Sequence, residues 1–164
     1  MHFTGLLYRA HNPVWSREPF SGEGAARFGG RFNRLRRAAL YTSLAPETAL
    51  REANQVGTLQ PTTLVAYRAD IGPLLDGRDT AVLQPFGMAP AELGDPSWRD
   101  RMLSGKPVPT QNLAEAAIAQ GYVGIVVSSY ARGAPADALN LVLWEWEGRV
   151  TLVDDDDGLG LRAP

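Results

Sequence analysis

Apolar and polar positions along the chain alternate in short runs near both ends of the sequence. Runs rich in β-branched and aromatic residues predict six strands, at 6–11, 38–43, 61–71, 122–129, 138–146 and 149–154. The run at 122–129 is mostly apolar, which indicates a buried strand, and Glu147-Gly148 predicts a hairpin between the last two strands. With helices between strands at both ends, the pattern predicts a mixed α+β fold.

Helical signals are fewer. Segment 45–55 has Pro46 in its first turn and Gly57 beyond its end, which favours a helix. A second helix is predicted from Thr110, as its N-cap, to Gly121.

Two segments give weak signals. Residues 12–37 are rich in turn-forming residues and predict a long loop, a length that in a compact domain often serves function. Residues 72–109 hold six of the twelve prolines and predict only a short helix near 97–103.

The length of 164 residues and the composition, 45% hydrophobic and 21% charged, are those of an ordinary globular chain. We therefore expect one domain over 1–164, with its core at about 6–153 and an acidic tail at 154–164. No apolar run approaches the roughly 20 residues of a membrane span. The N-terminal residues lack the pattern of a signal peptide, so a soluble, cytoplasmic bacterial protein is expected.

Charge and ligand chemistry narrow the function classes. The formal charge is −2, and without the four acids of 154–157 it becomes −2 + 4 = +2, too small an excess for a typical nucleic-acid binder. The chain has no cysteine, and its two histidines, His2 and His11, have no second metal ligand nearby in sequence. The four consecutive acids lack the spacing of an EF-hand loop. No metal site is expected.

Glu52 is the most informative single residue. At about 100° per residue, Ala45, Ala49 and Ala53 lie on one face of the predicted helix, and Glu52 lies at the edge of that face. A carboxylate partly buried there needs partners. It is either a structural ion pair with a nearby arginine or a catalytic or anchoring group in a cleft.

Arginines are concentrated just before this helix. Gly29-Gly30 allows close approach of the backbone to a ligand, and the guanidinium of Arg31 could then hold a phosphate with two hydrogen bonds. The segment is no P-loop, because GxxxxGK[ST] is absent. Arg34, Arg36 and Arg37 are expected to be solvated surface charge.

A hydroxyl pair, Ser128-Ser129, follows the apolar strand at a position where α/β proteins place functional groups. A hydrolase triad is not expected, since no GxSxG elbow is present and only two histidines exist. The aromatic residues near these motifs are interpreted first as core or rim residues: Tyr8, Tyr41, Trp144 and Trp146.

Taken in order, six short motifs resemble the RES-domain family, toxins of bacterial toxin–antitoxin pairs. The motifs are YR (8–9), GGRFN (29–33), LYTS (40–43), TALRE (48–52), GYVGIVVSS (121–129) and NLVLWEW (140–146). The resemblance runs from about residue 6 to 153 and implies an ADP-ribosyltransferase-like fold that binds NAD+ and cleaves its nicotinamide–ribose bond.

Matched motif by motif, the resemblance implies roles for five residues. Arg31 and Glu52 correspond to the family's arginine and glutamate, Tyr41 to the tyrosine between them, and Arg9 to a second arginine of the site. Ser129 is the aligned serine, with Ser128 where the family usually has proline. The resemblance thus implies that Glu52, Arg31, Tyr41 and Ser129 are catalytic and that Arg9, Arg31, Tyr41 and Ser129 bind NAD+ as substrate.

Three functions stay open at this point. The first is a type II toxin that depletes NAD+ by passing ADP-ribose to water or phosphate. The second is a mono-ADP-ribosyltransferase acting on a protein or nucleic acid. Transfer to a macromolecule often calls for a second carboxylate two residues before the catalytic glutamate. Leu50 occupies that position here, which mildly favours the first function. The third is a non-enzymatic binding module with a structural Arg–Glu pair. The resemblance also implies an Xre-like, helical DNA-binding antitoxin that blocks the site.

Overall fold

A computed structural model describes residues 1–54 and 61–153, and its centre is a curled sheet of seven strands. The strand order is β4-β5-β6-β2-β1-β3-β7. The strands are β1 Phe3–His11, β2 Leu40–Ser43, β3 Thr63–Ile71, β4 Leu74–Asp76, β5 Gly124–Ser128, β6 Leu139–Leu143 and β7 Val150–Leu152. Pairing is antiparallel throughout except between β4 and β5.

Helices flank this sheet. They are α1 Glu23–Phe28, α2 Pro46–Ala53, α3 Thr80–Leu83, α4 Trp98–Leu103 and α5 Pro109–Ala119, with 3-10 turns at Pro13–Trp15, Gln84–Phe86 and Pro90–Gly94. The predicted α+β class with flanking helices is confirmed. Among the described residues, no helix has the length and apolar character needed to cross a membrane.

The sheet is apolar on both faces at its centre. On β5, Ile125 and Val127 belong to one buried cluster, while Val126 belongs to the cluster on the opposite face. Helix α5 packs on the first face through Leu113 and Ala117. This double burial explains why the sequence of β5 is a continuous apolar run rather than an alternating one.

The predicted hairpin about Glu147-Gly148 is wrong, although the turn itself exists. The Arg149 N–H donates to the Trp146 carbonyl at 3.0 Å, and Gly148 has φ 71°. Both edges of β6 are already occupied, by β5 and β2, so the chain cannot add another strand there. It crosses instead to the far edge of the curled sheet, where β7 pairs with β3.

The two weakly patterned segments contain structure that the sequence did not reveal. Within the predicted loop 12–37 lies α1, six residues long with none buried, too short for a periodic signal. Within 72–109, β4, α3 and two 3-10 turns join the predicted helix α4.

Helix boundaries also differ in places. Thr110 is not the N-cap of α5: Val108 occupies that position and Pro109 begins the helix. Gln55 and Gly57, which mark the predicted end of α2, lie outside the described residues, as does the acidic tail 154–164.

Candidate active site

A cleft of about 760 Å³ lies on the face of the sheet that also packs against α5. Its floor comes from alternate positions on neighbouring strands, because side chains two residues apart share a face. Tyr41 lies opposite Val142 and Ser43 opposite Asn140 in the β2–β6 register, and Val127 continues the floor on β5. The walls come from β1, α2, Gly29–Phe32 and residues 94–100.

Glu52 projects into this cleft from the last turn of α2. Its Oε1 accepts hydrogen bonds from Ser129 Oγ and from Asn140 Nδ2, each at 2.6 Å. Both donors are neutral, so they orient the carboxylate without cancelling its charge. The ion pairs formed among the described residues lie elsewhere: His2–Asp70, Arg37–Glu115 and Arg78–Asp76.

The geometry distinguishes the two serines. Ser128 is the last residue of β5, paired with Leu139. Ser129 follows the strand, its N–H donates to the Ala138 carbonyl at 2.8 Å, and its hydroxyl donates to Glu52. Of the two, Ser129 is therefore the residue that joins the site, and its hydroxyl also accepts from the Ala131 N–H at 3.3 Å.

Arg31 is anchored in the cleft by backbone groups. Its Nη1 donates to the carbonyls of Leu93 at 3.1 Å and Asp95 at 2.7 Å. The rings of Tyr130 and Trp98 lie 4.9 and 5.9 Å from its Cζ. Its Nε and Nη2, the edge that binds a phosphate side-on, form no hydrogen bond with a described residue.

Burial lowers the pKa of Arg31, and the nearby Tyr130 and Glu52 partly oppose this effect. An arginine starts from so high a pKa that its guanidinium stays charged at neutral pH. The cleft thus contains a half-buried cation held by neutral carbonyls.

Arg9, from β1, is held in the same manner. Its Nη1 donates to the carbonyls of Pro19 at 3.2 Å and Ser21 at 2.8 Å. Arg9 is among the residues that line the cleft, while the segment that follows β1 folds back and holds its guanidinium beside the Tyr67 hydroxyl, which also donates to the Pro19 carbonyl. The two arginines come from opposite parts of the site, yet both are fixed by carbonyl oxygens.

Tyr41 links the arginine loop to the sheet. Its hydroxyl donates to Asn33 Oδ1 at 2.8 Å and accepts from the Phe32 N–H at 3.1 Å. Burial raises the pKa of this hydroxyl well above its usual range, so it remains a neutral donor. Tyr41 lines the cleft, and its hydroxyl is engaged in holding the loop.

Gly30 is required by the same contact. A Cβ built at this position would lie 2.3 Å from Tyr41 Oη and 2.4 Å from Asn33 Oδ1. Any side chain there would break the bond between these two atoms. Gly30 thus serves close packing of the loop that carries Arg31.

Of the remaining arginines, Arg34 and Arg36 are exposed, as expected, and Arg36 has φ 70°, whereas Arg37 is partly buried. Arg37 binds Glu115 of α5 through Nε and Nη2 at 2.9 and 2.8 Å. Arg34 donates to Asn112 Oδ1 at 2.6 Å. These two side chains fasten the loop to α5, because α5 passes directly beside it.

A family model described as "RES domain" matches residues 6–158. The chain belongs to the RES-domain family. This confirms the resemblance predicted from the motifs. A solved structure, that of the M. tuberculosis MbcT–MbcA toxin–antitoxin complex, shares the fold, with a TM-score of 0.60 and 20% identity over 100% of this chain and 92% of the matched chain. A search of curated proteins found no match.

Sequence reasoning missed several polar residues of this RES domain. Asn140 was treated only as part of a strand, and Ser43 only as part of LYTS, although the β2–β6 register places them side by side. Thr110 Oγ1 donates to the Arg31 carbonyl at 2.6 Å and Gln111 Nε2 to the Gly30 carbonyl at 2.8 Å. These buried side chains hold the backbone beneath Arg31, and only knowledge of the tertiary contacts could have found them.

Two tryptophans have structural roles in the RES domain. Trp144 is buried and its Nε1 donates to the Phe32 carbonyl at 2.8 Å, while Trp146 Nε1 donates to the Phe20 carbonyl at 3.2 Å.

Within residues 1–54 and 61–153, no three histidine, aspartate or glutamate side chains come together as a metal site would require.

Proposed function

We propose that this RES domain is the toxin of a bacterial type II toxin–antitoxin pair and cleaves the nicotinamide–ribose bond of NAD+. ADP-ribose passes to water or phosphate, so that the cell loses NAD+ and stops growing. Family membership supports the proposal. The shared fold with the MbcT–MbcA complex agrees with it.

One observation carries the chemistry: Glu52, Arg9 and Arg31 line one cleft, and no acid is among the described hydrogen-bond partners of these three side chains. A diphosphate ester is the ligand that two arginine side chains suit best, because each can bind phosphate oxygens with two hydrogen bonds. The neutral anchors of Arg9 and Arg31 leave their positive charge for such a ligand.

Cleavage of the nicotinamide–ribose bond leaves the bonding electron pair on the ring nitrogen, and nicotinamide departs as a neutral molecule. Positive charge then develops at the anomeric carbon of the ribose. Glu52 hydrogen-bonds a ribose hydroxyl and stabilises this developing charge, since an oriented carboxylate needs no reorganisation at that moment. Tyr41 supplies an aromatic wall for the nicotinamide ring.

The nature of the acceptor follows from the neighbourhood of Glu52. Leu50, two residues earlier on α2, is apolar and 39% exposed, so no second carboxylate is present there to activate a bulky nucleophile. Water or phosphate then completes the reaction by attacking the anomeric carbon. Transfer to a macromolecule would use the same cleft.

The test is mass spectrometry of the products after incubation of purified protein with NAD+, alone, with phosphate and with cell lysate. We expect release of nicotinamide together with ADP-ribose or its 1″-phosphate. Protein-bound or nucleic-acid-bound ADP-ribose in the lysate would assign the transferase function instead. Intact NAD+ in all three mixtures would contradict the enzymatic proposal.

The proposed partner is an Xre-like antitoxin that covers the cleft. The co-purified complex of the two proteins should not consume NAD+. Production of both proteins in one cell should restore growth. Full NAD+ consumption by a stable complex would contradict a mode of inhibition that closes the site.

A further inference from the structure

Glu52 is connected through Asn140 to a second buried hydroxyl. Ser43 Oγ lies 2.7 Å from Asn140 Oδ1, and Asn140 Nδ2 lies 2.6 Å from Glu52 Oε1. Ser43 is only 3% exposed. The two residues are direct cross-strand partners in the β2–β6 register, so their side chains share one face of the sheet.

The direction of these bonds is determined by chemistry. An amide oxygen only accepts, so the Ser43 hydroxyl must donate to it. The amide nitrogen of Asn140 then faces Glu52 and donates. The reversed amide would place its oxygen against a carboxylate, where neither atom could donate.

The location of Glu52 explains why such support is needed. Glu52 is the penultimate residue of α2, which ends at Ala53. The final turn of a helix is where backbone hydrogen bonding is least complete. The carboxylate is instead held from the sheet, by one donor just after β5 and another on β6.

We infer that Asn140, oriented by Ser43, is a positioning residue for the cleavage of the nicotinamide–ribose bond. This inference rests on the proposed function. Asn140 acts through Glu52: it keeps the carboxylate in the orientation that meets the charge developing on the ribose. Substrate affinity comes mainly from Arg9 and Arg31, which Asn140 leaves untouched.

The kinetic test uses N140D, which preserves size but replaces the N–H donor by an oxygen. We expect kcat to fall about 10- to 100-fold, as for loss of a hydrogen bond to a charged group, while KM for NAD+ changes less than about threefold. S43A should lower kcat in the same direction by a smaller factor, because the amide loses its orienting donor. The matched control is N112D, on the exposed face of α5, which we expect to retain activity.

A raised KM with unchanged kcat would overturn the inference, because it would make Asn140 a substrate-binding residue. So would a kcat for N140D within about twofold of the unchanged protein.

A second measurement does not depend on activity and separates this inference from the proposed function. In N140D the new carboxylate faces Glu52, whereas in N140D combined with E52Q an amide again faces a carboxylate. E52Q is introduced both into the N140D protein and into the protein without other substitutions, and its effect on Tm is measured in each. We expect the change in Tm to be about 2–4 °C more positive in the N140D background. Equal shifts in both backgrounds would overturn the contact itself. If the protein without substitutions leaves NAD+ intact, only the proposed reaction is refuted. The Tm comparison would still test the contact between Glu52 and Asn140.

Discussion

The cleft and the neighbouring face of α5 each bring arginine and glutamate side chains together, with different results. On the α5 face, Arg37 and Glu115 bond to each other through two parallel contacts at 2.9 and 2.8 Å. In the cleft, Arg31 bonds to the carbonyls of Leu93 and Asp95, and Glu52 accepts from a hydroxyl and an amide. The arginine and glutamate bond to each other in one place, whereas in the other their described hydrogen bonds go to neutral groups.

This difference separates a structural arrangement from a binding one. A pair that cancels its own charge fastens a loop to a helix and has little left for a ligand. Groups held by neutral partners keep their charge, at the cost of burying it. We therefore expect substitutions in the cleft to affect turnover and binding, and substitutions on the α5 face to affect stability slightly.

The largest expected effect is that of E52Q. We expect turnover of NAD+ to fall about 10²–10³-fold, equivalent to about 2.7–4 kcal/mol of lost transition-state stabilisation, because the amide cannot stabilise positive charge. The fold should survive, since the amide oxygen still accepts from Ser129 and Asn140. NAD+ consumption and thermal melting on one preparation measure both.

E115Q is the matched control for E52Q, a change of the same kind in the neutralised pair. It should leave NAD+ turnover unchanged. A protein with E52Q that melts far lower, while its folded fraction is fully active, would make Glu52 a structural residue like Glu115.

R31K should have the next largest effect. Lysine preserves the charge but loses the planar pair of donors, so we expect NAD+ to bind about 10- to 100-fold more weakly. Calorimetric titration with NAD+ on protein that also carries E52Q measures binding without turnover. R37K is the control, and equal affinities for the two variants would exclude Arg31 as the diphosphate ligand.

Y41F sharpens the comparison on the side of stability. Removing the hydroxyl leaves the Phe32 N–H and Asn33 Oδ1 without this partner, so the free energy of unfolding should fall by about 1–3 kcal/mol. Urea denaturation measures this loss. An unchanged midpoint would mean that the loop carrying Arg31 is held by its other contacts, to α5 and to Trp144.

The smallest effect is expected for R37A. The side chains of Arg37 and Glu115 are 40% and 28% exposed, so solvent screens the pair and its loss should cost at most about 1 kcal/mol. Urea denaturation and NAD+ consumption are the two measurements. A large loss of turnover would show that this face supports the cleft more directly than the comparison implies.

Much of the site could be predicted because it lies in local motifs. Arg31, Tyr41 and Glu52 fall within 22 residues of one another, on elements whose start signals are local: the Gly29-Gly30 turn, the strand LYTS and a helix beginning at Pro46. The pattern of apolar runs also predicted the mixed class and most strands. Local signals suffice where neighbours in sequence are neighbours in space.

Two of the missed features are non-local. β7 cannot pair with β6 because β5 and β2 already occupy both edges of β6. The sequence of the turn between β6 and β7 does not contain this information. The role of Asn140 depends on register with Ser43, far away in sequence. Short helices such as α1 are missed for a different reason: six residues bury nothing and leave no periodic pattern.

The bonds that orient Glu52 span long stretches of the chain, 77 residues to Ser129 and 88 to Asn140. During synthesis, Arg9, Arg31, Tyr41 and Glu52 all leave the ribosome well before either donor exists. Premature termination between the end of α2 and the end of β5 would therefore yield a fragment that contains these four residues but neither donor that orients the Glu52 carboxylate. We expect a nonsense mutation in this range to abolish NAD+ consumption, because the site is complete only once Ser129 and β6 have been synthesised.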